Sequence, residues 1–224
     1  MLVLEKKKEL VKKRIAATCN CDSGCAVCIA KRKFIDSMAE SNIPCGYWEL
    51  SYRDFKGAPN VKAAVQSYVK SLDDKYADGQ CIAFAGTMGT GKTFSLCAIM
   101  KQALSQGHTS YYTTMSDMMM YLTDFAQKKA FHQLVTTVDF LCIDEVDSRH
   151  FASSDLSESF AGRTFEKVIR HRIQNRLPML IATNEARLEN AFTGEFKKVV
   201  ESLASVNTIV VPALGKDYRL GNKR

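Results

Sequence analysis

Apolar residues at Val61, Ala64, Val65, Tyr68, Val69, Leu72 and Tyr76 fall at the i, i+3, i+4 spacing of a helix that buries one face, and Gly79 supplies its C-cap. Shorter apolar runs lack that period and predict buried strands at 80–85, 109–113, 138–143, 178–182 and 207–211. Helical stretches lie between them at 93–100 and at 116–125. Strands alternating with helices put the chain in the α/β class. Met118, Met119 and Met120 read as packing residues of the second helical stretch. At the start, 5–14 predicts a helix with a basic face, either solvated or binding a partner. Residues 41–58 hold Pro44, Gly46 and Gly57 with few periodic apolars, so they read as a connection between modules. The expected organisation is a small N-terminal module over 1–45 and a larger domain over 46–224.

Composition narrows the class. With 224 residues, 46% of them hydrophobic, the chain can build one sizeable core. No apolar run approaches the length of a membrane span, and the charged start lacks the apolar stretch of a secretory signal. Eight cysteines in such a chain then point to a reducing compartment, the cytoplasm, and to thiols or metal ligands rather than disulfides. The net charge of +7 is uneven, because residues 1–33 hold nine Lys/Arg against three Asp/Glu. The basic character belongs to the N-terminus and suits an acidic partner there, nucleic acid or a protein surface.

The first chemical signal sits between the predicted strand at 80–85 and the helix after it. Gly86, Thr87, Met88, Gly89, Thr90, Gly91, Lys92 and Thr93 match G-x-x-x-x-G-K-[ST] in full. Three glycines let the backbone turn successive N–H groups inward, and the helix N-terminus adds its partial positive charge. Such a loop cradles the phosphates of a nucleoside triphosphate, with Lys92 on the β- and γ-phosphates and the Thr93 hydroxyl on Mg²⁺.

A second signal follows 52 residues after Lys92, where the apolar strand ends in Asp144-Glu145. This is a Walker B pattern: Asp144 to hold Mg²⁺, directly or through water, and Glu145 to orient and deprotonate the attacking water. A third comes 40 residues later, where another buried strand ends in Asn184. That amide can position the water or the γ-phosphate (a sensor 1 role), or it is a strand-end turn residue. Near the start, Cys19, Cys21, Cys25 and Cys28 place four thiols within ten residues. They can close tetrahedrally on Zn²⁺, hold an iron–sulfur cluster, or remain plain thiols. Lys128 and Lys129, between Phe125 and Phe131, offer charge and stacking to a single strand, or simply form a solvated loop.

The order of P-loop, strand-Asp-Glu, strand-Asn and a last strand followed by Gly215-Lys216-Asp217-Tyr218-Arg219 resembles the AAA+ helicase loaders of the DnaC/DnaI type and their transposon relatives, the IstB ATPases. Phe165 to Ile169 with Arg172, and Leu177-Pro178, add to the likeness, which covers about 80–220 and more loosely 43–55. The resemblance implies a five-stranded parallel sheet in the order 5-1-4-3-2 without a C-terminal helical lid. Only 13 residues follow Val211, which agrees with the missing lid. It also implies ATP and Mg²⁺ as ligands, self-assembly in the ATP state, single-stranded DNA and a DnaB-like hexameric helicase as partners, and no membrane. Arg219 is then the sensor 2 candidate, or else a solvated terminal charge. The loaders' trans-acting arginine lies after the sensor strand, but here that stretch, 194–202, holds no arginine, so Lys198 is the nearest substitute. Arg172 and Arg176, expected on the preceding helix, are alternatives, and Arg172 also reads as a structural salt-bridge residue. Loading of a helicase onto single-stranded DNA, with slow hydrolysis, is the expected activity. Remodelling of DNA beside a transposase, or a nucleotide switch with negligible turnover, are the alternatives.

Overall fold

A computed structural model describes residues 2–16, 25–147, 160–191, 207–215, 217 and 218. Its centre is one sheet of five strands, β1 (Cys81–Ala85), β2 (Ser110–Thr114), β3 (Phe140–Val146), β4 (Met179–Thr183) and β5 (Thr208–Pro212). Their spatial order is β2-β3-β4-β1-β5 and every pairing is parallel. This is the expected 5-1-4-3-2 order, viewed from the other edge. Every residue of β1 and β4 is buried, which is why these strands read as unbroken apolar runs rather than alternating ones.

Helices cover both faces, so alternate strand residues enter two separate cores. On one face Ile82, Phe84, Phe140, Cys142, Leu180 and Ala182 pack beneath α2 (Ala26–Glu40), α3 (Pro59–Lys70) and α5 (Lys92–Ser105). On the other, Ala83, Leu141, Ile143, Met179 and Ile181 meet α6 (Met115–Thr123), α7 (Lys128–Thr137) and a helix at Phe160–Gln174, here α8. Met115, Met118 and Leu122 are fully buried, so the methionine-rich stretch does pack, while Met120 stays 55% exposed.

The long amphipathic stretch ahead of β1 is two helices rather than one. It starts at Pro59, at the first helical position where a missing N–H costs nothing, and breaks at Ser71 before α4 (Leu72–Ala77). Both pieces keep the apolar stripe on one face, with Val61, Val65, Tyr68 and Leu72 buried. Helix α2 answers to no strong period in the sequence, whereas α7 carries Phe131, Leu134 and Val135 at helical spacing and was not among the expected helices. The basic stretch at the start forms α1 (Leu2–Ala16), which buries Val11 and ties Lys12 to Asp36 at 3.1 Å and Arg14 to Glu49. The expected boundary at residue 45 falls inside a single core: Ile35, Met38 and Ile43 before it share a cluster with Trp48 and Phe55 after it.

Arg172 corrects one expectation. It is fully buried, and its guanidinium donates to the carbonyls of Val135 and Val138 (2.9 Å each), Asp139 (2.9 Å) and Pro178 (2.8 Å). These bonds tie α8 to the end of α7 and the starts of β3 and β4. Burial lowers its pKa to about 10. A side chain with no exposed surface cannot reach a neighbouring subunit, and its partners are backbone carbonyls, not a carboxylate. Arg176 lies beyond the end of α8, in a turn where its φ is +51°. Among the described residues no helix is long and apolar enough to cross a membrane.

Candidate nucleotide-binding site

The chain leaves β1 at Ala85, turns through 86–91 and enters α5 at Lys92. At the helix start Gly91 has φ +94°, a conformation that favours glycine, and a Cβ there would strike the Phe55 ring. Lys92, 7% exposed, donates to the carbonyls of Gly86 (2.9 Å) and Thr87 (2.7 Å), so its ammonium lies along the loop. Gly86 N–H in turn reaches the Thr183 carbonyl at the end of β4 (3.3 Å). A cavity of about 530 Å³ opens beside this loop, within the range of small-molecule sites. Gly89, Gly91, Lys92, Thr93, Asp144, Glu145 and Asn184 all line it, so the loop, acidic pair and strand-end amide read from sequence converge on one space.

A β-bulge aims the acidic pair. Between the pairings Ile143↔Ile181 and Val146↔Thr183, β3 has one residue more than β4. Glu145 occupies that irregularity with φ +55°, and both it and Asp144 face the cavity, where strict alternation would send them to opposite faces. Asp144 is 3% exposed; its Oδ1 accepts the Glu145 N–H (2.8 Å) and its Oδ2 accepts the Tyr112 hydroxyl (2.9 Å). Burial, then the Asp144 charge, push the Tyr112 phenol far up, so it stays a donor. A carboxylate offers about four lone-pair directions, so both oxygens keep capacity toward the cavity. With the Thr93 hydroxyl this is a hard, all-oxygen donor set, the kind that suits Mg²⁺ alongside phosphate oxygens.

Two walls of the cavity were not read as site residues. Tyr47, Leu50, Phe55 and Gly57, from the stretch expected to be a connection, form one side with Phe94 of α5. Phe55 stacks at 5.4 Å from Tyr52 and 5.5 Å from Phe94, and Tyr47 meets Phe94 edge-on at 6.3 Å. Lys101 anchors this segment by donating to the carbonyls of Tyr47 (3.1 Å), Trp48 (2.9 Å) and Leu50 (2.6 Å). The signal available in sequence was the density of aromatics, four in 47–55. The other wall is the strap after β5. Ala213 N–H bonds Ala85 O (2.7 Å), Thr87 hydroxyl bonds Gly215 O (3.1 Å) and Tyr218 N–H bonds Gly89 O (3.1 Å), while Tyr218 lines the cavity. A Cβ on Gly89 would run into the Asp217 carboxylate.

Cys19, Cys21, Lys198 and Arg219 lie outside the described residues. Of the other two cysteines, Cys25 caps α2 by accepting the Cys28 N–H at 3.4 Å, and Cys28 is buried. Among the described residues no group of three or more His, Cys, Asp or Glu is placed to hold a metal ion.

A parallel sheet in this order, with phosphate loop, acidic pair and polar amide meeting at the strands' C-terminal ends, defines a P-loop ATPase of the AAA+ class. Within that class the chain belongs to the family of IstB-like ATP binding proteins, which matches residues 26–213. No curated protein matches it in sequence. Among solved structures it is similar to DnaI (TM-score 0.62, 16% identity, 79% of this chain and 94% of that one). It is also similar to the DnaC helicase loader (TM-score 0.54, 18% identity, 74% of this chain and 98% of that one). The AMPPCP-bound DnaA of Aquifex aeolicus aligns with TM-score 0.59 at 16% identity, 72% of this chain covering 49% of that one, so the chain spans about half the length of DnaA. At such identities the likeness establishes the shared fold.

Proposed function

We propose that the protein is a helicase loader, an ATPase that places a DnaB-like hexameric helicase on single-stranded DNA in the cytoplasm. The observation that carries this reading is the complete nucleotide site, acidic pair included, on a fold that matches DnaI and the DnaC helicase loader over 94% and 98% of those chains. In this reading the backbone of 86–91 and Lys92 hold the phosphates, and the aromatic wall of Tyr47, Phe55 and Phe94 takes the base. Thr93 and Asp144 hold Mg²⁺, which supplies positive charge against the phosphate oxygens. Glu145 accepts the proton of the attacking water, and Asn184 orients that water or the γ-phosphate. Lys198 is the trans-acting cation between assembled subunits now that Arg172 is committed to the core, and Arg219 is the sensor at the strap. Lys198 lacks the planar fork of arginine, which suits slow turnover and a long-lived ATP-bound assembly.

The N-terminal module grips the helicase. Cys19, Cys21, Cys25 and Cys28 hold a structural Zn²⁺ there, or an iron–sulfur cluster, and α1 supplies the basic stretch. Single-stranded DNA is contacted between α6 and α7, where Phe125 stands 95% exposed three residues before α7 starts at Lys128 and Lys129; Phe131, also expected to stack, is buried in the core and takes no part. A second reading, a transposition ATPase that remodels duplex DNA, is favoured by the family match itself. Capture of a purified hexameric helicase by the tagged protein with ATP decides between them. Retention of helicase with ATP, reduced with ADP, supports loading. No retention, together with ATP-dependent binding of duplex DNA, supports the transposition reading instead.

A further inference from the structure

Tyr112 stands at a junction that the nucleotide site alone does not explain. It lies on β2, an edge strand, with its ring buried on the α5 side of the sheet. Its hydroxyl donates to Asp144 Oδ2 at 2.9 Å. Its backbone faces the open edge, where two groups from the end of α2 take it: Tyr112 N–H donates to Ser41 O (2.9 Å), and Asn42 Nδ2 donates to Tyr112 O (3.0 Å). Asn42 is set for this by a helix-ending turn with φ +55°, in which its own N–H bonds Ala39 O at 3.0 Å. One residue is thus fixed through its backbone by α2 and holds, through its side chain, the carboxylate at the hydrolytic end of β3.

We propose that Tyr112 is a positioning residue for the Mg²⁺–nucleotide site, aligned by the C-terminal end of α2. A carboxylate that ligates a metal binds well only in one rotamer, and a hydrogen bond to its outer oxygen holds that rotamer before the metal arrives. Here Oδ1 is already tied to the Glu145 N–H, so the Tyr112 hydroxyl fixes the other oxygen and with it the plane of the group. The end of α2 can set this plane, because α2 packs in the same core, begins directly after its N-cap Cys25 and carries Cys28 in its first turn. A partner that displaces α2 from the β2 edge would loosen Mg²⁺ coordination without touching the phosphate loop. The inference rests on the reading of Asp144 as a Mg²⁺ ligand and deepens it.

The test is equilibrium binding of a fluorescent, non-hydrolysable ATP analogue to the full chain, in EDTA and across a Mg²⁺ titration. Tyr112→Phe keeps the ring and removes the hydroxyl; Asn42→Gly keeps the left-handed backbone and removes the amide. In EDTA both variants are expected to bind the analogue as the wild type does. With Mg²⁺, Tyr112→Phe should raise the half-saturating concentration by about tenfold, the scale of a lost outer-shell partner of a metal site. Asn42→Gly should raise it in the same direction by a smaller factor, and the double variant no further than Tyr112→Phe alone. A wild-type Mg²⁺ midpoint in Tyr112→Phe overturns the proposal, since a purely structural tyrosine would change thermal stability and leave that midpoint in place. If Tyr112→Phe does not fold, Asn42→Gly decides, and a wild-type midpoint there removes the role of α2. A wild type whose binding ignores Mg²⁺ altogether refutes the assignment of Asp144 instead.

Discussion

Replacing Arg172 with Met removes four hydrogen bonds to backbone carbonyls while roughly keeping the volume of a side chain that is fully buried. Pro178 O retains a second donor, Leu141 N–H at 3.3 Å, so the loss falls mainly on the carbonyls of Val135, Val138 and Asp139. Buried groups left without a partner cost about 1–3 kcal/mol each, and desolvating the guanidinium in the native protein has already offset part of that. A net loss of about 3–5 kcal/mol follows, large against the ~5–15 kcal/mol that holds a typical domain folded. For a chain of this size that corresponds to a Tm about 6–20 °C lower. Urea unfolding followed by circular dichroism should show the midpoint fall with little change in slope. Arg172→Lys should recover only part of the loss, because one ammonium cannot span four acceptors. The reasoning fails if Arg172→Met unfolds within ~1 kcal/mol of wild type. It fails twice over if the same variant is stable but loses ATPase activity only when subunits assemble, as a trans-acting arginine would.

Gly57→Ala tests the aromatic wall. The added methyl would meet the Thr90 carbonyl and the Phe55 ring, so it should push 55–58 off the phosphate loop. Overpacking costs about 1–3 kcal/mol, and ATP affinity measured by titration calorimetry should fall by about tenfold or more; unchanged affinity would remove this segment from the site. Asp139 gives a pH signature. Burial works to raise its pKa, but donors from the Tyr76 hydroxyl (2.7 Å) and the Thr109 N–H (2.7 Å) and hydroxyl (2.9 Å) outweigh it and hold it low. Its stabilisation is therefore present above the unfolded carboxylate range and lost as pH falls below about 4 through the lowered folded value. Asp139→Asn should flatten the acid limb of a stability–pH profile, and an identical limb would count against it. Cys25→Ser with Cys28→Ser should abolish bound Zn²⁺ or iron by elemental analysis and helicase capture together, with ATP binding kept. Wild-type protein purified without either metal would end that part of the proposal.

The sheet was legible because parallel strands are buried on both faces. Continuous runs such as Cys81 to Ala85 and Met179 to Thr183 have no other reading once a phosphate loop joins the first to a helix. The meeting of Lys92, Asp144 and Asn184 at one cavity was legible for a related reason: each lies at the C-terminal end of such a strand or just beyond it, so chain position fixes where they converge. What was missed depends on contacts between distant segments. Tyr47 and Phe55 reach the cavity through distant partners: Lys101, some 50 residues later, gathers the carbonyls of Tyr47, Trp48 and Leu50, and the Phe94 ring of α5 packs on Phe55. Arg172 looked as suited to a subunit interface as to a core, and only the carbonyls at the end of α7 and the starts of β3 and β4 distinguish the two. Helix α2 carries a mixed, weakly periodic sequence and takes its place through the core it shares with α5. The bulge that turns Glu145 into the cavity has no sequence marker, since nothing but a glycine or asparagine would announce a positive φ.

In the proposed mechanism one cavity binds ATP and Glu145 within it drives hydrolysis. That mechanism is tested most directly by measuring ATP affinity and phosphate release on the same preparations of wild type and Glu145→Gln. The substitution removes the base and leaves Lys92, Thr93 and Asp144 in place, so the expected result is near wild-type affinity. Turnover should fall by about 10²–10⁴-fold, the usual contribution of a positioned base. Phosphate release by Glu145→Gln at the wild-type rate would contradict the account.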